Sequence, residues 1–371
     1  MVFCLRGKGL QYLRQLCRRR CPAVGHWTTG SRPTGEATVT DHMDVNSLRI
    51  LVVNPGSTST KVALFVGDQM QEEGAHPSPP CPDSSLWDEF PGRLGKIRDW
   101  MDSRELAMES LDAVVGRVGL LRPLEGGTYG VSEAMLRDAR EGRQGVHASN
   151  LGCALARALA DEATRARRAR AEEGGESLPP GEAVPAFVVD PVSTDEFLLL
   201  ARYSGLKGVP RRSLSHALSI HAVVRQACRR DGRPLEDTRF VVAHLGGGIS
   251  ICPVVGGRIL DANNANSGGP FSPTRAGGLP TQEVLELAFS GTHTLEGLRE
   301  LTLRRGGLMS YLGTADAQEV EARIQSGDEE ARAVYQAMAY QIAKEIGAMA
   351  TVLEGQVDRI LLTGGLAGSE L

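Results

Sequence analysis

The strongest constraint on the fold is a series of short apolar segments, each of which ends directly in a polar or glycine-rich turn. Val, Ile, Leu and Phe dominate these segments, a composition typical of buried β-strands. They lie at residues 47–68 (two runs around one turn), 111–118, 184–189, 240–248 and 359–365. Residues 216–228 and 328–354 instead have apolar side chains at helical spacing. This alternation predicts an α/β fold. Glycine-rich turns in both halves favour a duplicated architecture, although no repeat of fixed period is present.

The length of the chain favours two domains. At 371 residues it exceeds a single ordinary domain of roughly 100–200 residues. We expect a basic extension at 1–42, a first domain at 43–190 and a second domain at 191–371. The extension lacks the apolar core of a secretory signal. We interpret it as a segment upstream of a start at Met43. The alternative is a mitochondrial presequence, which the helical spacing of its leucines would fit.

Charge and cysteine usage exclude several classes of protein. Outside the extension, 34 basic residues face 43 acidic ones, which argues against a nucleic-acid-binding surface. The seven cysteines are scattered without CxxC pairs, so neither a disulfide framework nor a zinc site is indicated, and a reducing cytoplasm fits best. The least polar stretch, 240–257, contains a glycine run and Pro253, which predicts no membrane helix.

One helix and one loop are expected between the first strands. Asn150 is a candidate cap for a helix, because its amide oxygen can accept from a free N–H of the first turn. The charged, Gly/Pro-rich text at 165–183 predicts that this helix gives way to a surface loop.

A polar turn between the first two apolar runs is the first candidate site. Its text, NPGSTSTK at 54–61, places hydroxyls and backbone N–H groups where they can meet phosphate oxygens. A Walker-type loop would run into a helix, whereas this chain returns as a strand, so that class is disfavoured. An ordinary polar hairpin turn is the alternative.

Two further candidates lie at strand ends. Asp190 ends a buried run, where its carboxylate can reach a metal, a metal-bound water or an arginine; a capping role is the alternative. His244 is followed by three glycines, Gly246 to Gly248, which allow the backbone to come close to a phosphate. A flexible turn would have the same composition.

Two arginines and one more histidine complete the candidates. Arg275 lies in a loop of small polar residues at 263–278, and Arg117 stands at the end of the predicted strand at 111–118. A guanidinium presents a fork of donors to phosphate or carboxylate oxygens, while a surface ion pair is the alternative role. His216 begins the helical stretch at 216–228. A lone histidine is more often structural than catalytic.

In combination these motifs resemble the acetate and butyrate kinase family, a relative of actin, sugar kinases and heat-shock chaperones. The turn at 54–61 and the text AHLGGGIS at 243–250 resemble its two phosphate motifs, and LLTGGLAGS at 361–369 resembles its adenosine-side motif. The resemblance covers residues 47–371. It implies two duplicated actin-like (ribonuclease H-like) α/β domains, with ATP and substrate meeting in the cleft between them.

The resemblance also implies roles for individual residues. Catalytic roles fall on Arg117, Asp190, His216 and Arg275. Nucleotide contacts fall on Asn54, Ser57, Ser59, His244, Gly246, Gly247, Gly248, Gly364 and Gly365. Asn54 and Asp190 are the implied metal ligands, with Mg²⁺ as the metal and ATP as co-substrate.

The implied activity is reversible transfer of the γ-phosphoryl group of ATP to butyrate, or a similar short or branched fatty acid, giving butanoyl phosphate and ADP. Butyrate is preferred because NPGSTSTK replaces the acetate-kinase text NAGSSSLK and HLGGG replaces HLGNG. An acetate or propionate kinase and a nucleotide-binding pseudoenzyme are the alternatives. A cytoplasmic homo-oligomer, in the form of a dimer, without nucleic-acid or membrane partners is expected.

One departure from the family pattern concerns the end of the sequence. Family members continue past the TGG turn with another strand and a glutamate-containing segment, whereas this sequence ends at Leu371. We therefore expect a C-terminally truncated form, in which metal binding and activity are in question.

Overall fold

The computed structural model describes residues 46–78, 85–175 and 183–369, and it arranges their strands in two separate sheets. The interpretation of residues 1–42 as an extension or a presequence lies outside the described residues. Within the described ranges, no helix has both the length and the apolar composition needed to cross a membrane.

The first sheet begins with the expected hairpin. Its described strands are β1 (Arg49–Pro55), β2 (Ser59–Val66), β3 (Gln69–Pro77), β4 (Ala113–Gly116), β5 (Thr128–Gly130) and β6 (Ala186–Val189). They are ordered β3-β2-β1-β4-β6-β5, with β1, β4 and β6 parallel to one another. In the hairpin, Asn54 of β1 lies opposite Lys61 of β2, so the polar turn stands at one end of the sheet. The predicted hairpin and strands are confirmed.

Within the described ranges, three α-helices accompany this sheet. They are α1 (Phe90–Ser103), α2 (Glu133–Glu141) and α3 (Leu151–Glu173). Leu151, Leu155 and Leu159 of α3 are fully buried against the strand core that includes Leu51 and Val114. Burying a side chain of this size stabilises a fold by about 1.5–3 kcal/mol, so α3 is a main support of the sheet.

Two local predictions for α3 were wrong. The helix continues through residues 165–173, because Ala, Arg and Glu are strong helix formers, and only the text from Gly174 onward leaves it. The rest of the predicted loop, at 176–182, lies outside the described residues. Asn150 does precede the helix, but its side chain makes no cap bond. Its Nδ2 instead donates to the carbonyl oxygens of Ala139 and Gly145, and its Oδ1 accepts from the N–H of Leu120.

The second sheet lies in the C-terminal half of the chain. Its described strands are β7 (Arg239–Leu245), β8 (Ile249–Val255), β9 (Arg258–Ile259) and β10 (Arg359–Thr363), ordered β10-β7-β8-β9. The accompanying helices are α4 (Ala217–Asp231), α5 (Thr281–Phe289), α6 (Leu295–Leu303), α7 (Leu308–Leu312), α8 (Ala317–Gln325) and α9 (Glu329–Val352). One face of the sheet packs on α4, and the other packs on Met349 of α9 and on Leu353 directly after that helix. The predicted helices at 216–228 and 328–354 are confirmed.

A close approach between β4 and α3 sets the position of Arg117. A Cβ atom on Gly116 would lie 2.1 Å from the carbonyl oxygen of Gly152, and one on Gly152 would lie 1.9 Å from that of Arg117. Only glycine fits at such distances. The two glycines therefore allow the first turn of α3 to press against the end of β4, directly beside Arg117.

Candidate active site

The polar turn of the first hairpin has the backbone of a tight, solvent-accessible loop. The N–H of Gly56 donates to the carbonyl oxygen of Ser59 at 2.8 Å, which closes the turn. The side chain of Ser57 is exposed and that of Ser59 is half-buried. Hydroxyls in these positions can accept or donate to a phosphate, and Asn54 stands at the end of β1 beside them.

A buried arginine that sequence reasoning missed anchors this turn. Arg93 of α1 is only 2% exposed, and its Nη1 donates to the carbonyl oxygen of Gly56 at 2.9 Å and to Oγ1 of Thr60 at 2.8 Å. Its Nε and Nη2 both donate to Oε2 of Glu89, one helical turn earlier, at 2.9 and 2.7 Å. All three guanidinium nitrogens are thus bonded, so the turn is fixed to α1.

Arg117 leaves β4 at the same end of the sheet as the turn. Its backbone N–H donates to the carbonyl oxygen of Val53 at 2.8 Å, and its Nη1 lies 3.5 Å from Oδ1 of Asn54. Burial lowers the pKa of Arg117 from its ordinary value, yet a guanidinium stays charged at neutral pH. The structure therefore holds a cation beside the predicted phosphate turn.

Asp190 follows β6 in an unusual backbone conformation. Its φ is 39°, in the left-handed region that few non-glycine residues adopt, and its side chain is buried. Such strain is found at functional sites more than elsewhere, and Asp tolerates it better than most residues. The Oδ1 atom accepts from the N–H of Gly127 at 2.7 Å. Burial opposes ionisation, but His221, Gly127 and Arg225 outweigh it and lower the pKa of Asp190.

A second missed residue, His221, lies between two carboxylates. Its Nδ1 is 3.1 Å from Oδ2 of Asp190, and its Nε2 is 3.4 Å from Oε2 of Glu196. Burial alone would lower the pKa of His221, but the two carboxylates raise it to about 9. Glu196 in turn accepts from the N–H groups of Gly126 and Ile259, at 3.1 and 2.7 Å. A charged imidazole therefore links the strand end at Asp190 to the edge of the second sheet.

The two predicted histidines are stacked on each other. The ring centroids of His216 and His244 are 4.0 Å apart, and the ring planes differ by 18°. Burial, then the charges of His244, Arg275 and Arg117, lower the pKa of His216 to about 3. Burial and Arg117 also lower the pKa of His244. Both imidazoles are therefore neutral at pH 7, when each can donate one N–H.

Arg275 reaches this pair from the polar loop. Its Nη1 donates to the carbonyl oxygen of Ala265 at 3.1 Å. A Cβ atom on Gly248 would lie 2.5 Å from the same Nη1, so a side chain there would displace the guanidinium. The carbonyl oxygen of Gly247 accepts from the hydroxyls of Ser272 and Thr274, at 2.6 and 3.1 Å. The glycine run and the arginine loop thus support each other.

The last glycine motif lies next to the second one. Thr363, at the end of β10, is paired in parallel with His244 of β7. Gly364 has a φ of 92°, and a Cβ atom there would lie 2.3 Å from the carbonyl oxygen of Leu245. Gly365 has open space around it. The turns after β7 and β10 therefore meet at the same edge of the second sheet.

A pocket gathers three of the four predicted catalytic residues. Its walls are formed by Arg117, Val118, Asp190, Val192, His216, Ala217, Leu218 and Ser219. Arg275 is not among these residues, but its charge contributes to the lowered pKa of His216 in the pocket wall.

Sequence reasoning missed His147, whose Nδ1 accepts from the N–H of Ser149 at 3.1 Å. Desolvation and then the charges of nearby arginines, Arg117 and Arg275 among them, lower the pKa of His147.

Asp190 is the carboxylate that lines this pocket, where its Oδ1 accepts from Gly127 and its Oδ2 faces His221. Among the residues that the structure describes, no group of three or more His, Cys, Asp or Glu side chains could hold a metal. Mg²⁺ commonly takes only one or two carboxylates, together with waters and substrate phosphates. One aspartate at the pocket and the Asn54 amide oxygen beside the phosphate turn are of the ligand types used in that second manner of binding, and a cation at Asp190 would compete with His221 for Oδ2.

Comparison with known proteins places these observations in context. Residues 195–370 match the model of the Acetokinase family. A probable butyrate kinase from Listeria monocytogenes is 46% identical over 329 residues, which cover 88% of this chain and 87% of the relative. Probable butyrate kinase 2 from Caldanaerobacter subterraneus is 44% identical over 325 residues, covering 87% and 86%.

Two solved structures share the fold. Acetate kinase from Porphyromonas gingivalis aligns with a TM-score of 0.66 at 20% identity, covering 87% of this chain and 84% of the other. A propionate kinase from Francisella tularensis aligns with a TM-score of 0.64 at 19% identity, covering 87% and 85%. The predicted fold class, an actin-like α/β architecture, is confirmed by these likenesses.

Proposed function

The chain belongs to the acetokinase family, and we propose that it is a butyrate kinase, which transfers the γ-phosphoryl group of ATP to butyrate. One carboxylate oxygen attacks the γ-phosphorus, the bond from phosphorus to the ADP oxygen breaks, and butanoyl phosphate and ADP result. The observation that carries the proposal is the pocket shared by Arg117, Asp190 and His216. It is supported by relatives named as probable butyrate kinases, two of which are 46% and 44% identical to this chain.

The chemistry requires charge neutralisation and alignment more than proton transfer. A carboxylate is already an anionic nucleophile, so no general base is needed. Two anions, the carboxylate and the phosphoryl group, must nevertheless approach each other. Fixed cations and N–H donors stabilise the negative charge that accumulates between them. Arg117 and Arg275 supply the cations, and the neutral rings of His216 and His244 supply donors. We assign these four residues to the carboxylate and the transferring phosphoryl group.

The remaining assignments concern the nucleotide and its metal. Asn54, Ser57 and Ser59 at the hairpin turn, and the turn of Gly246, Gly247 and Gly248, are assigned to the phosphates. Gly364 and Gly365 are assigned to the adenosine side, where the open space at Gly365 leaves room for a ligand. Asp190 and Asn54 are assigned to Mg²⁺, which would neutralise phosphate charge when bound.

The proposal extends to domain organisation and location. Every described strand of the first sheet lies within 49–189 and every one of the second within 239–363, which supports domains at 43–190 and 191–371. The described cysteines, Cys153, Cys228 and Cys252, are free thiols, which supports a cytoplasmic location.

Exposed apolar helices support the proposal of a homodimer. Neither α5 nor α6 contains a buried residue. Their exposed side chains include Phe289, which is 87% exposed, and Leu295, which is 60% exposed. Apolar surface of this kind marks protein–protein contacts. Light scattering should give twice the chain mass for the wild type and a lower mass for Phe289→Lys; a monomeric wild type would exclude this part of the proposal.

The test of the function is the formation of an acyl hydroxamate in the presence of ATP, Mg²⁺, hydroxylamine and a carboxylate. Butyrate, isobutyrate, propionate and acetate are compared at equal concentrations. We expect product with all short chains and the highest kcat/KM with butyrate or isobutyrate. A higher kcat/KM with acetate or propionate would identify an enzyme for the shorter acid. ATP binding without any hydroxamate would identify a pseudoenzyme.

A further inference from the structure

Ser250 makes two contacts with the same histidine. It lies on β8, directly opposite His244 of β7, and is fully buried. The backbone N–H of His216 donates to Oγ of Ser250 at 3.3 Å, and Nδ1 of the His216 ring lies 2.9 Å from the same oxygen. No other hydrogen bond of this hydroxyl is present among the described residues.

The donor and acceptor capacity of the hydroxyl decides the direction of the second bond. A serine hydroxyl has one proton to donate and two lone pairs with which to accept. One lone pair of Ser250 is occupied by the N–H of His216. Nδ1 of His216 is the acceptor that lies within hydrogen-bond distance of the hydroxyl among the described residues, and a buried hydroxyl proton left without an acceptor is destabilising. The hydroxyl therefore donates to Nδ1.

The direction of the bond from Ser250 determines which nitrogen of the His216 ring carries the proton. We propose that Ser250 is a positioning residue, which holds His216 in the neutral tautomer that carries its proton on Nε2 and presents that N–H to the pocket. This inference rests on the proposed function, because it gives the orientation in which His216 donates to the phosphoryl or carboxylate oxygens.

The surroundings of His216 favour the same state. The ring stacks on His244, and the charges of Arg117 and Arg275 act on it. These groups disfavour an imidazolium, so the ring cannot gain a second proton and donate from both nitrogens at neutral pH. With Nδ1 accepting from Ser250, Nε2 is the nitrogen that remains for the substrate. Among the described residues, Nε2 has no protein hydrogen bond.

The tautomer can be measured without any activity. The chain is labelled with ¹⁵N in its eight histidines, and long-range proton–nitrogen spectra are recorded at neutral pH. The His216 signals are identified by their loss in His216→Gln. We expect a protonated, pyrrole-type Nε2 and a hydrogen-bonded, pyridine-type Nδ1. A protonated Nδ1 in the wild type would overturn the proposal, whether or not Ser250→Ala folds.

The variant Ser250→Ala tests the cause. Removal of the hydroxyl should move the Nδ1 signal towards the value of a free pyridine-type nitrogen and lower kcat roughly tenfold, the loss expected from one poorly oriented hydrogen bond, with KM for ATP unchanged. An unchanged ring spectrum in Ser250→Ala would refute the role. Thr238→Val is the matched control: it removes another buried hydroxyl, next to the first residue of β7, which donates to the carbonyl oxygen of Leu235, and it should alter neither the ring spectrum nor kcat.

The two parts of the account fail separately. If the wild type forms no hydroxamate but shows the expected Nε2–H signal, the proposed function fails and the tautomer assignment stands. If hydroxamate forms while the ring carries its proton on Nδ1, the tautomer assignment fails and the function stands.

Discussion

Substitutions of Arg93 and Glu89, which hold the hairpin turn at 54–61, distinguish an effect on the free energy of unfolding from an effect on nucleotide binding. In Arg93→Met, the carboxylate of Glu89 loses its cation, and the carbonyl oxygen of Gly56 and the hydroxyl of Thr60 lose a donor. The Glu89 side chain is 18% exposed and that of Arg93 is 2% exposed, so water can compensate the carboxylate only in part. In Glu89→Leu, the buried guanidinium instead loses its counter-ion.

The expected free energies follow from the burial of the pair. Breaking a buried ion pair from one side costs about 3–5 kcal/mol because of the charge left unpaired, so we assign about 4 kcal/mol to Glu89→Leu, which leaves the 2% exposed guanidinium without its counter-ion. Arg93→Met leaves a carboxylate that water can partly reach, and should cost about 2 kcal/mol. In the double variant both charges are gone and apolar atoms replace them. We expect a loss of about 3 kcal/mol, against the ~6 kcal/mol that independent effects would give, which is a coupling of about 3 kcal/mol.

Urea denaturation of the four forms measures the coupling, and steady-state kinetics measures KM for ATP. The double variant recovers part of the stability that Glu89→Leu loses, but it still lacks the donor to Gly56 and Thr60. Its KM for ATP should therefore stay about tenfold above the wild-type value, as expected for a displaced turn. The matched control is Arg98→Met on the same helix, where the arginine that pairs with Glu162 is itself 48% exposed; it should cost under ~1 kcal/mol and leave KM unchanged. Strictly additive free energies, or a normal KM in the double variant, would refute the reasoning.

Three other expectations test different parts of the site. Arg275→Ala should lower kcat in the hydroxamate assay by roughly two to three orders of magnitude, because it removes a charge that faces the transferring group, and near-normal turnover would exclude its assignment. Gly152→Ala should lower the melting temperature and weaken catalysis, because its Cβ would lie 1.9 Å from the carbonyl oxygen of Arg117, whereas Gly95→Ala on α1 has open space and should be neutral or stabilising. The folded pKa of His221 is raised from 6.5 to about 9. Its contribution to stability is therefore fully present below pH 6.5 and is lost as pH rises through 9. Urea midpoints should fall more steeply over that window in the wild type than in His221→Gln, and equal slopes would contradict the ion-pair assignment.

The parts of the fold that could be predicted from the sequence are those governed by neighbours along the chain. The hairpin follows from two β-rich runs around a turn, and the helix after His216 follows from apolar spacing over three to four turns. Asp190 could be selected because it directly follows a buried run. In each case the deciding interactions involve residues a few positions apart, so a local pattern carries the information.

The parts that could not be predicted depend on contacts between distant segments. Arg93 meets Gly56 across 37 positions, and His216 meets Ser250 across 34. Neither Arg93 nor Ser250 lies in a pattern that distinguishes it from an ordinary helix or strand residue. The helix α3 extends beyond its predicted end for a different reason, because the charged run at 165–173 has the polarity of a surface loop while its Ala, Arg and Glu favour a helix.

The central claim, phosphoryl transfer from ATP to a short carboxylate, is tested most directly by ³¹P nuclear magnetic resonance of the chain with ATP, Mg²⁺ and butyrate. The account predicts an acyl phosphate signal that grows in step with the ADP signals, and that reverses when butanoyl phosphate and ADP are supplied instead. ADP that accumulates together with inorganic phosphate, without acyl phosphate at any time and without hydroxamate when hydroxylamine is present, would contradict it.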